Sequence, residues 1–193
     1  MEVLRKLIKA KQFSWLRSAS SAILIPFLLL TSWSSPNQSA PSKEYQLKAV
    51  FLFNFTQFTT WPPHAFPEPE TPVIIGVLGN NPFGNYLSQT VKGETINGHP
   101  LVIRYYKKVE DIDACHILFI NLPKGIGTKE VLSNLKNKNT LTVGDAPDFI
   151  GQGGIIQFVT SDHKIRMKIN MEATREADLT FSAKLLRLAD IVN

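Results

Sequence analysis

The sequence predicts an α/β fold in one domain: a mixed, mostly parallel sheet with helices on both faces and an antiparallel hairpin at one edge. Three observations carry this prediction. Short, mostly apolar runs at residues 73–78, 101–106, 115–120 and 141–143 have the composition of strands that are buried on both faces. Helical patterns separate several of these runs, which is the order of βαβ units. Residues 156–169 alternate between apolar and polar with a period of two, as a half-buried hairpin does.

The first 40 residues have the layout of a signal peptide and a linker. Basic residues between Arg5 and Arg17 precede the apolar run of residues 22–30, and a polar stretch follows it. This run is shorter than the roughly 20 residues that a spanning helix needs, and it contains Pro26. We therefore expect export, with removal of the leader after Ser35 or Ala40, and an exported domain at residues 41–193. An uncleaved membrane anchor is the alternative.

The charge argues against nucleic-acid binding, and the single cysteine argues against an internal disulfide. The chain has 21 basic and 16 acidic residues, of which residues 1–40 hold five and one, so residues 41–193 carry a net charge of only +1. Nucleic-acid binding then has no electrostatic basis. Cys115 cannot form an internal disulfide, and in an apolar strand it is expected to be a small buried hydrophobe. Redox sensing through another molecule is the alternative.

The first element of the domain is a predicted helix over residues 44–61, which the sequence Trp61-Pro62-Pro63 ends. Its apolar side chains lie on more than one face of a helix. Such a helix is either enclosed inside the domain or part of an interface between chains. We expect part of it, around Leu52, Phe55 and Thr59, to contact a partner.

A buried strand and a glycine-containing turn follow the helix. Residues 79–84 lead from the strand into a second helix, with Asn81 as its cap and Pro82 at its first position. The two outer glycines have the spacing of a phosphate-binding loop, but Asn85 and Tyr86 replace its Lys and its Ser or Thr. An ordinary tight connection is therefore favoured over a nucleotide site.

The remaining elements follow in alternation. Residues 93–100 are predicted as a loop, residues 128–136 as a short helix and residues 171–177 as a helical turn. Ser182 is expected to cap a last helix, because four apolar side chains after it share one helical face. These four side chains are Leu185, Leu188, Ala189 and Val192.

The hairpin register can be worked out from side chains alone. If Asp162 and His163 form a two-residue turn, Phe158 lies opposite Met167 and Gln157 opposite Lys168. One face is then almost wholly apolar. A slip by one residue would move charges into the core, so the register is strongly specified.

Residue chemistry offers no catalytic or metal constellation. The histidines lack the spacing of zinc ligands, no serine occupies a nucleophile turn, and no cofactor is implied. We therefore expect a protein that is not an enzyme. A crevice at the strand ends, lined by Asn80, Phe83, Asn121 and Asp145, is the candidate site for a small ligand. For Asp145, hydrogen bonding to backbone amides of its turn is the alternative to ligand contact.

Six segments resemble one family. They are KAVFLFNFTQFTTWP, IGVLGNNPFG, CHILFIN, LTVGDAPDFIGQGGIIQFV, KIRMKIN and SAKLLRLADIV, and the resemblance runs in order along nearly the whole chain after the leader. The chain is thereby identified as similar to the YfiR-like family of exported bacterial proteins. The resemblance implies a periplasmic regulatory domain without a catalytic motif. This chain departs from relatives that have paired cysteines, so disulfide-based control is not expected.

The same resemblance implies partners. The best understood relatives repress a membrane-bound diguanylate cyclase by contacting its periplasmic portion, and an outer-membrane-associated partner sequesters them. Others accompany sensor kinases. We therefore expect a periplasmic interaction protein that controls an inner-membrane signalling enzyme, with a second copy of the chain as a further candidate partner. The alternative is a periplasmic module that binds a small ligand and feeds a sensor kinase.

Overall fold

The computed structural model describes residues 41–123, 125–135, 138–162 and 164–192. The predicted signal peptide and linker lie outside this part of the chain. Within it, no helix is long and apolar enough to cross a membrane.

An eight-stranded sheet forms the centre of the fold, in the order β10-β8-β7-β6-β5-β2-β4-β3. Pairing is parallel except in the β7–β8 and β3–β4 hairpins. A separate antiparallel pair joins β1 to β9. The strands are β1 (Thr59–Thr60), β2 (Val73–Gly79), β3 (Thr95–Ile96), β4 (His99–Tyr106), β5 (Ile117–Asn121), β6 (Leu141–Gly144), β7 (Ile156–Ser161), β8 (Lys164–Asn170), β9 (Thr180–Phe181) and β10 (Ala189–Val192).

Helices cover both faces of this sheet, as the sequence predicted. They are α1 (Lys43–Phe58), α2 (Tyr86–Val91), α3 (Thr128–Ser133), α4 (Met171–Glu176) and α5 (Ala183–Leu186). Successive strand residues point to opposite faces, so β2 gives Ile75 and Val77 to one core and Ile74 and Leu78 to the other. The first core contains α1, α2 and α5, and the second contains α3 and the short turn Val109–Asp111. The mixed, mostly parallel α/β fold is confirmed.

Helix α1 ends three residues earlier than predicted. Ser42 caps its start, where its hydroxyl accepts a hydrogen bond from the backbone N–H of Tyr45 at 3.4 Å. Its end is set by pairing with a distant strand, because Thr59 lies opposite Phe181 and Thr60 opposite Thr180. β-branched threonines fit a strand well. The predicted stop at Trp61 was therefore wrong, since the chain leaves the helix before the prolines are reached.

Helix α2 also begins later than predicted. Asn81 accepts a hydrogen bond from the backbone N–H of Phe83 at 3.0 Å, so it caps a turn and not the helix itself, which starts at Tyr86. The predicted loop over residues 93–100 contains a small hairpin. Its turn is Asn97-Gly98, where both residues have positive φ, at 52° and 89°.

The last predicted helix is mostly a strand. Ser182 does cap a helix, through a 3.4 Å hydrogen bond from the N–H of Leu185, but α5 ends at Leu186. Residues Ala189–Val192 then pair in parallel with β8 and lie outside the predicted hairpin. Leu188 is 64% exposed and not on a buried face. A free edge on β8 provides backbone partners that a helical pattern in the sequence does not reveal.

The predicted hairpin register is confirmed. Phe158 lies opposite Met167, Gln157 opposite Lys168 and Ser161 opposite Lys164, which leaves residues 162 and 163 as the turn. Asp162 has a φ of 51°, as a primed turn requires, and His163 lies outside the described residues.

Candidate functional site

The carboxyl ends of β2 and β5 are where the topology places a ligand site. Taking β2 as the first strand of the wound sheet, the spatial order is that of a flavodoxin-like fold, with the topological switch point between β2 and β5. Asn80 and Asn121 lie at this point, as the sequence predicted. However, the N–H of Asn80 donates to the carbonyl of Asn121 at 2.8 Å, and the side-chain amide of Asn121 donates back to the carbonyl of Asn80 at 3.2 Å. These bonds join the two strand ends at the switch point. A recess of about 350 Å³ lies beside them, and its lining includes Leu78, Lys107 and Leu122.

Gly79 permits this close approach. Its φ is +90°, and a Cβ at this position would collide with the carbonyl oxygen of Asn121. The glycine therefore allows the two strand ends to clasp each other without a gap.

Phe83 is part of the core and does not line an open crevice. It is fully buried. Its ring centroid is 5.7 Å from that of Tyr45 and 4.9 Å from that of Phe119, both in edge-to-face geometry. Such pairs add to the stability that burial of the ring provides. Its expected ligand contact has no open surface to act through.

Asp145 binds side chains of α1. Its Oδ2 accepts hydrogen bonds from the Lys48 Nζ at 2.6 Å and the Tyr45 hydroxyl at 3.1 Å. The expected bonding to backbone amides of its own turn was wrong. Helix α1 instead covers the end of β6 and supplies the partners of this carboxylate.

Lys48 is the centre of an ionic cluster that sequence reasoning missed. The cluster consists of Glu44, Tyr45, Lys48 and Asp145. Lys48 is only 2% exposed, and its Nζ lies 2.6 Å from both the Glu44 Oε1 and the Asp145 Oδ2. It also lies 4.5 Å from the centroid of the Tyr45 ring. A buried ammonium needs such partners, because an unpaired charge in the interior is very costly.

A signal for this burial is present in the sequence. Lys48 is four residues before Leu52 and seven before Phe55, which places it on the same stripe of the helix as these apolar residues. Glu44, four residues earlier, is a partner that the local pattern shows, but the second partner, Asp145, is 97 residues away and no local pattern points to it.

The cluster perturbs two of its members. The hydrogen bond from Lys48 holds the pKa of Glu44 below its usual value, against the opposing effect of burial, and the Thr160 hydroxyl adds a further hydrogen bond. Burial, together with the Asp145 charge, raises the pKa of Tyr45 to about 12. Glu44 thus stays ionised and Tyr45 stays neutral around pH 7, which suits a structural contact and not proton transfer.

The residues predicted to contact a partner are buried. Leu52 and Phe55 are 0% exposed and Thr59 is 7% exposed. The Phe55 ring stacks on that of Phe158 at 6.0 Å, inside the core beneath α1. Direct contact of these three side chains with another chain requires an exposure that they lack, so the enclosed-helix alternative describes them. On the outer side of the same helix, Leu47 is 47% exposed.

The amino ends of the strands carry a second constellation, which the sequence did not reveal. Three histidines fasten the proline-containing residues 62–72, here called the linking segment. The His116 Nε2 donates to the carbonyl of Ala65 at 3.2 Å, and the His99 Nδ1 donates to the carbonyl of Thr71 at 2.8 Å. His64, within the segment, bonds through its Nε2 to the Asn139 Oδ1 at 2.8 Å.

Aromatic rings complete this arrangement. The Phe66 ring lies between the two imidazoles, with centroids 4.3 Å from His99 and 4.7 Å from His116. Trp61 meets His116 edge-on at 5.8 Å, and its indole N–H donates to the His116 carbonyl at 3.2 Å. Three of these four rings are stacked and Trp61 packs edge-on against them, at the amino edge of the sheet. The group is here called the stack.

A recess of about 240 Å³ opens beside the stack. Its lining includes Thr59, Trp61, Phe66, Val73, Ile96 and His99. The Thr59 hydroxyl is buried and finds no hydrogen-bond partner among the described residues. This concave surface is apolar and aromatic with a few polar groups, which is the general character of small-molecule sites.

Cys115 is fully buried, as the sequence predicted. Its Sγ lies 3.0 Å from the carbonyl oxygen of Ile117, and burial raises the pKa of the thiol to about 12. The group is therefore a neutral thiol without nucleophilic character. Across the described ranges, no three His, Cys, Asp or Glu side chains are grouped so that they could hold a metal ion.

Comparison with known protein families decides the affiliation. The YfiR/HmsC-like family matches residues 45–190, which is most of the chain. The protein belongs to the YfiR/HmsC-like family. The resemblance found in the sequence motifs is thereby confirmed. YfiR/HmsC-like proteins form a regulatory, non-catalytic family of the periplasm, and membership fits a periplasmic regulator.

Two solved structures are distantly similar to this YfiR/HmsC-like chain. A Streptococcus pneumoniae ABC domain in complex with L-Trp is similar with 14% identity and a TM-score of 0.43, over 62% of this chain and 55% of that one. A conserved domain protein from Vibrio cholerae O1 biovar El Tor is similar with 14% identity and a TM-score of 0.42, over 62% and 54%. The chain thus spans about half the length of these proteins. No curated protein matches it.

Proposed function

We propose that this protein is a periplasmic regulatory interaction protein that controls an inner-membrane signalling enzyme of the diguanylate cyclase type. Membership of the YfiR/HmsC-like family supports the regulatory role. The observation that carries the choice between regulation and chemistry is the clasp between the ends of β2 and β5 at the switch point. There the Asn80–Asn121 bonds and the ionic cluster occupy the crevice in which folds of this topology bind a substrate or ligand.

With the switch point clasped, the proposed function rests on the surface of the domain. A regulator of this kind contacts the periplasmic portion of the membrane enzyme, and a second, outer-membrane-associated partner or a second copy of the chain competes for it. The exposed side of α1, which includes Leu47, is continuous with the exposed surface of the domain and is available for such a contact.

Cellular levels of cyclic di-GMP test this proposal. In a strain that lacks the protein, we expect the level to change several-fold, and we expect the exported form to restore it. A form that lacks residues 1–40 is the matched control, because it remains in the cytoplasm and should not restore the level. An unchanged cyclic di-GMP level after loss of the protein, with no membrane signalling enzyme captured by the exported form, would contradict the proposal.

A small-ligand module that feeds a sensor kinase is the second candidate. The recess at the amino edge favours it, since its lining combines aromatic side chains with the Thr59 and His99 polar groups. Native mass spectrometry of the protein purified from periplasmic extract gives the test. A small-molecule adduct that Phe66→Ala removes supports a ligand function, whereas the bare protein mass in both variants contradicts it.

A further inference from the structure

Three of the chain's four histidines contact the same eleven-residue linking segment or lie within it. Each makes a hydrogen bond that joins the segment to a different part of the amino edge. His116 precedes β5, His99 begins β4, and His64 reaches the loop before β6 through Asn139. Histidine is the side chain whose charge changes most readily between pH 5 and 8. Such convergence makes the attachment of one segment depend on the protonation of several imidazoles.

His116 holds its position only as a neutral ring. Its Nδ1 accepts a hydrogen bond from the backbone N–H of Ile74 at 3.1 Å, so this nitrogen carries no proton. Its Nε2 faces the carbonyl of Ala65 and therefore carries the proton of the neutral tautomer. A second proton would have to go to Nδ1, where it would face the N–H of Ile74. Two donors would then oppose each other inside the stack, and the bond to β2 would be lost.

His99 and His64 differ from His116 in that each retains a ring nitrogen that can accept a proton. The His99 Nδ1 donates to Thr71, so its Nε2 is the site of protonation. The Asn139 amide donates to the carbonyl of Ala177, which fixes its oxygen towards His64. A positive charge on His99 would lie across Phe66 from His116 and repel a second charge there.

Charged side chains lie on the elements around the imidazoles, but none is paired with them among the described residues. The segment itself carries Glu68 and Glu70, β4 carries Arg104, and Lys138 precedes Asn139; β2 has no ionisable side chain. In the described part of the chain, none of the three imidazoles has an ion pair with a carboxylate. Burial, partly offset by the bond to Ala65, lowers the pKa of His116 from its ordinary value of 6.5, and the His99 charge lowers it further.

We propose that acidification detaches the linking segment from the amino edge of the sheet while the sheet itself stays folded. Detachment would open the stack of Trp61, Phe66, His99 and His116 and uncover the start of β2. The direction follows from the lowered pKa of His116: its bonds are complete above pH 6.5 and are lost as the pH falls through that pKa. At the carboxyl edge, Glu44 stays ionised in this range, because its pKa is lowered from 4.5.

Trp61 provides a direct probe, because the only other tryptophans are Trp15 and Trp33 in the leader. In the full chain with Trp15→Phe and Trp33→Phe, we expect Trp61 emission to change with a midpoint below pH 6.5, the ordinary value from which the pKa of His116 is lowered. Exchange of the amide hydrogens in residues 62–75, corrected for intrinsic pH dependence, should rise by about tenfold over the same range. Far-ultraviolet circular dichroism should stay constant.

His116→Gln is the decisive variant. Glutamine can accept from Ile74 and donate to Ala65 but cannot be protonated, so both pH-dependent changes should disappear. Retention of the transition in this variant would overturn the proposal. So would a parent protein that shows no change down to pH 5, or one whose whole sheet unfolds in the same transition.

His99→Gln keeps the proposal testable if His116→Gln does not fold. It removes the charge that opposes protonation of His116, so the midpoint of the Trp61 transition should move to higher pH by less than about one pH unit. An unchanged midpoint, or a move to lower pH, would contradict the assignment of the transition to His116.

Discussion

The carboxyl ends and the amino ends of the sheet's strands, here the carboxyl edge and the amino edge, are both covered by other parts of the chain. The covering groups are charged at one and neutral at the other. At the carboxyl edge, charges fasten helix α1: a buried ammonium lies 2.6 Å from two carboxylates. At the amino edge, neutral imidazoles and aromatic rings fasten the linking segment. Fixed charges resist a change of pH near neutrality, whereas neutral imidazoles respond to it. The difference indicates a rigid edge and a responsive edge in one domain.

Helix α1 joins the two edges, so its centre should give the largest effect. Phe55→Ala removes a fully buried ring of α1. We expect a loss of about 3–5 kcal/mol in the free energy of unfolding. Urea titration measures it. Leu47→Ala, on the exposed side of the same helix, is the control and should change stability by less than about 0.5 kcal/mol.

Substitutions at the same two positions, Phe55 and Leu47, also distinguish a core residue from an interface residue. Folded Phe55→Ala protein should still capture the proposed membrane partner, whereas Leu47→Glu should capture less of it without a comparable loss of stability. A Phe55→Ala variant that melts like the parent but fails in capture would show that Phe55 belongs to an interface after all.

Breaking the carboxyl edge alone should have the next largest effect. Lys48→Met leaves Glu44 and Asp145 without their shared cation, and removal of one partner from a buried ion pair typically costs about 3–5 kcal/mol. We expect the lower end, near about 3 kcal/mol, because Glu44 is 38% exposed and remains hydrated. Thermal unfolding at pH 7 measures the loss.

Lys43→Met is the matched control for this prediction, since it removes an exposed lysine from the first turn of the same helix. Equal destabilisation by the two variants would mean that helix charge, and not the ionic cluster, holds α1. Combining Lys48→Met with Asp145→Asn should recover part of the loss, because the uncompensated carboxylate is then gone.

The pH dependence of stability should separate the edges directly. His116 has a lowered pKa, so its contribution to the free energy of unfolding is present above pH 6.5 and falls as the pH is lowered. One protonating group changes this free energy by at most about 1.4 kcal/mol for each pH unit. The melting temperature of the parent should therefore fall between pH 7 and 5. His116→Gln should lose most of this fall, and Glu44→Gln should keep it. The reverse pattern would place the pH response at the carboxyl edge.

The smallest effect concerns the unpaired hydroxyl beside the recess. Thr59→Val replaces the buried Oγ1, which has no partner among the described residues, by a methyl group of similar size. We expect a gain of about 1 kcal/mol, seen as a higher melting temperature. The control is Thr56→Val, since the Thr56 hydroxyl donates to the Phe53 carbonyl at 2.6 Å and its loss should not stabilise. A gain in both variants would indicate that hydrophobicity alone is responsible.

Features that repeat over a few residues could be predicted from the sequence. Strand burial and the hairpin register follow from periods that are local, because one residue of slip would move charged side chains such as Lys168 into the core. Family membership was also legible, since its motifs are contiguous segments of the chain. Of the candidate ligand residues, Asn80, Asn121 and Asp145 were correctly placed at the strand ends, because a strand's last residue marks the edge of the sheet.

Only the tertiary structure decided which of these residues meet and what they do. The end of α1 at Phe58 depends on β9, more than 100 residues later in the chain, and the strand form of Ala189–Val192 depends on the free edge of β8. Burial of Lys48 depends on Asp145, and the attachment of the linking segment depends on histidines from three separate places. In each case the deciding partner is distant in sequence, so no local period encodes it. These contacts form in the folded state because a polar group that is buried without a partner costs free energy.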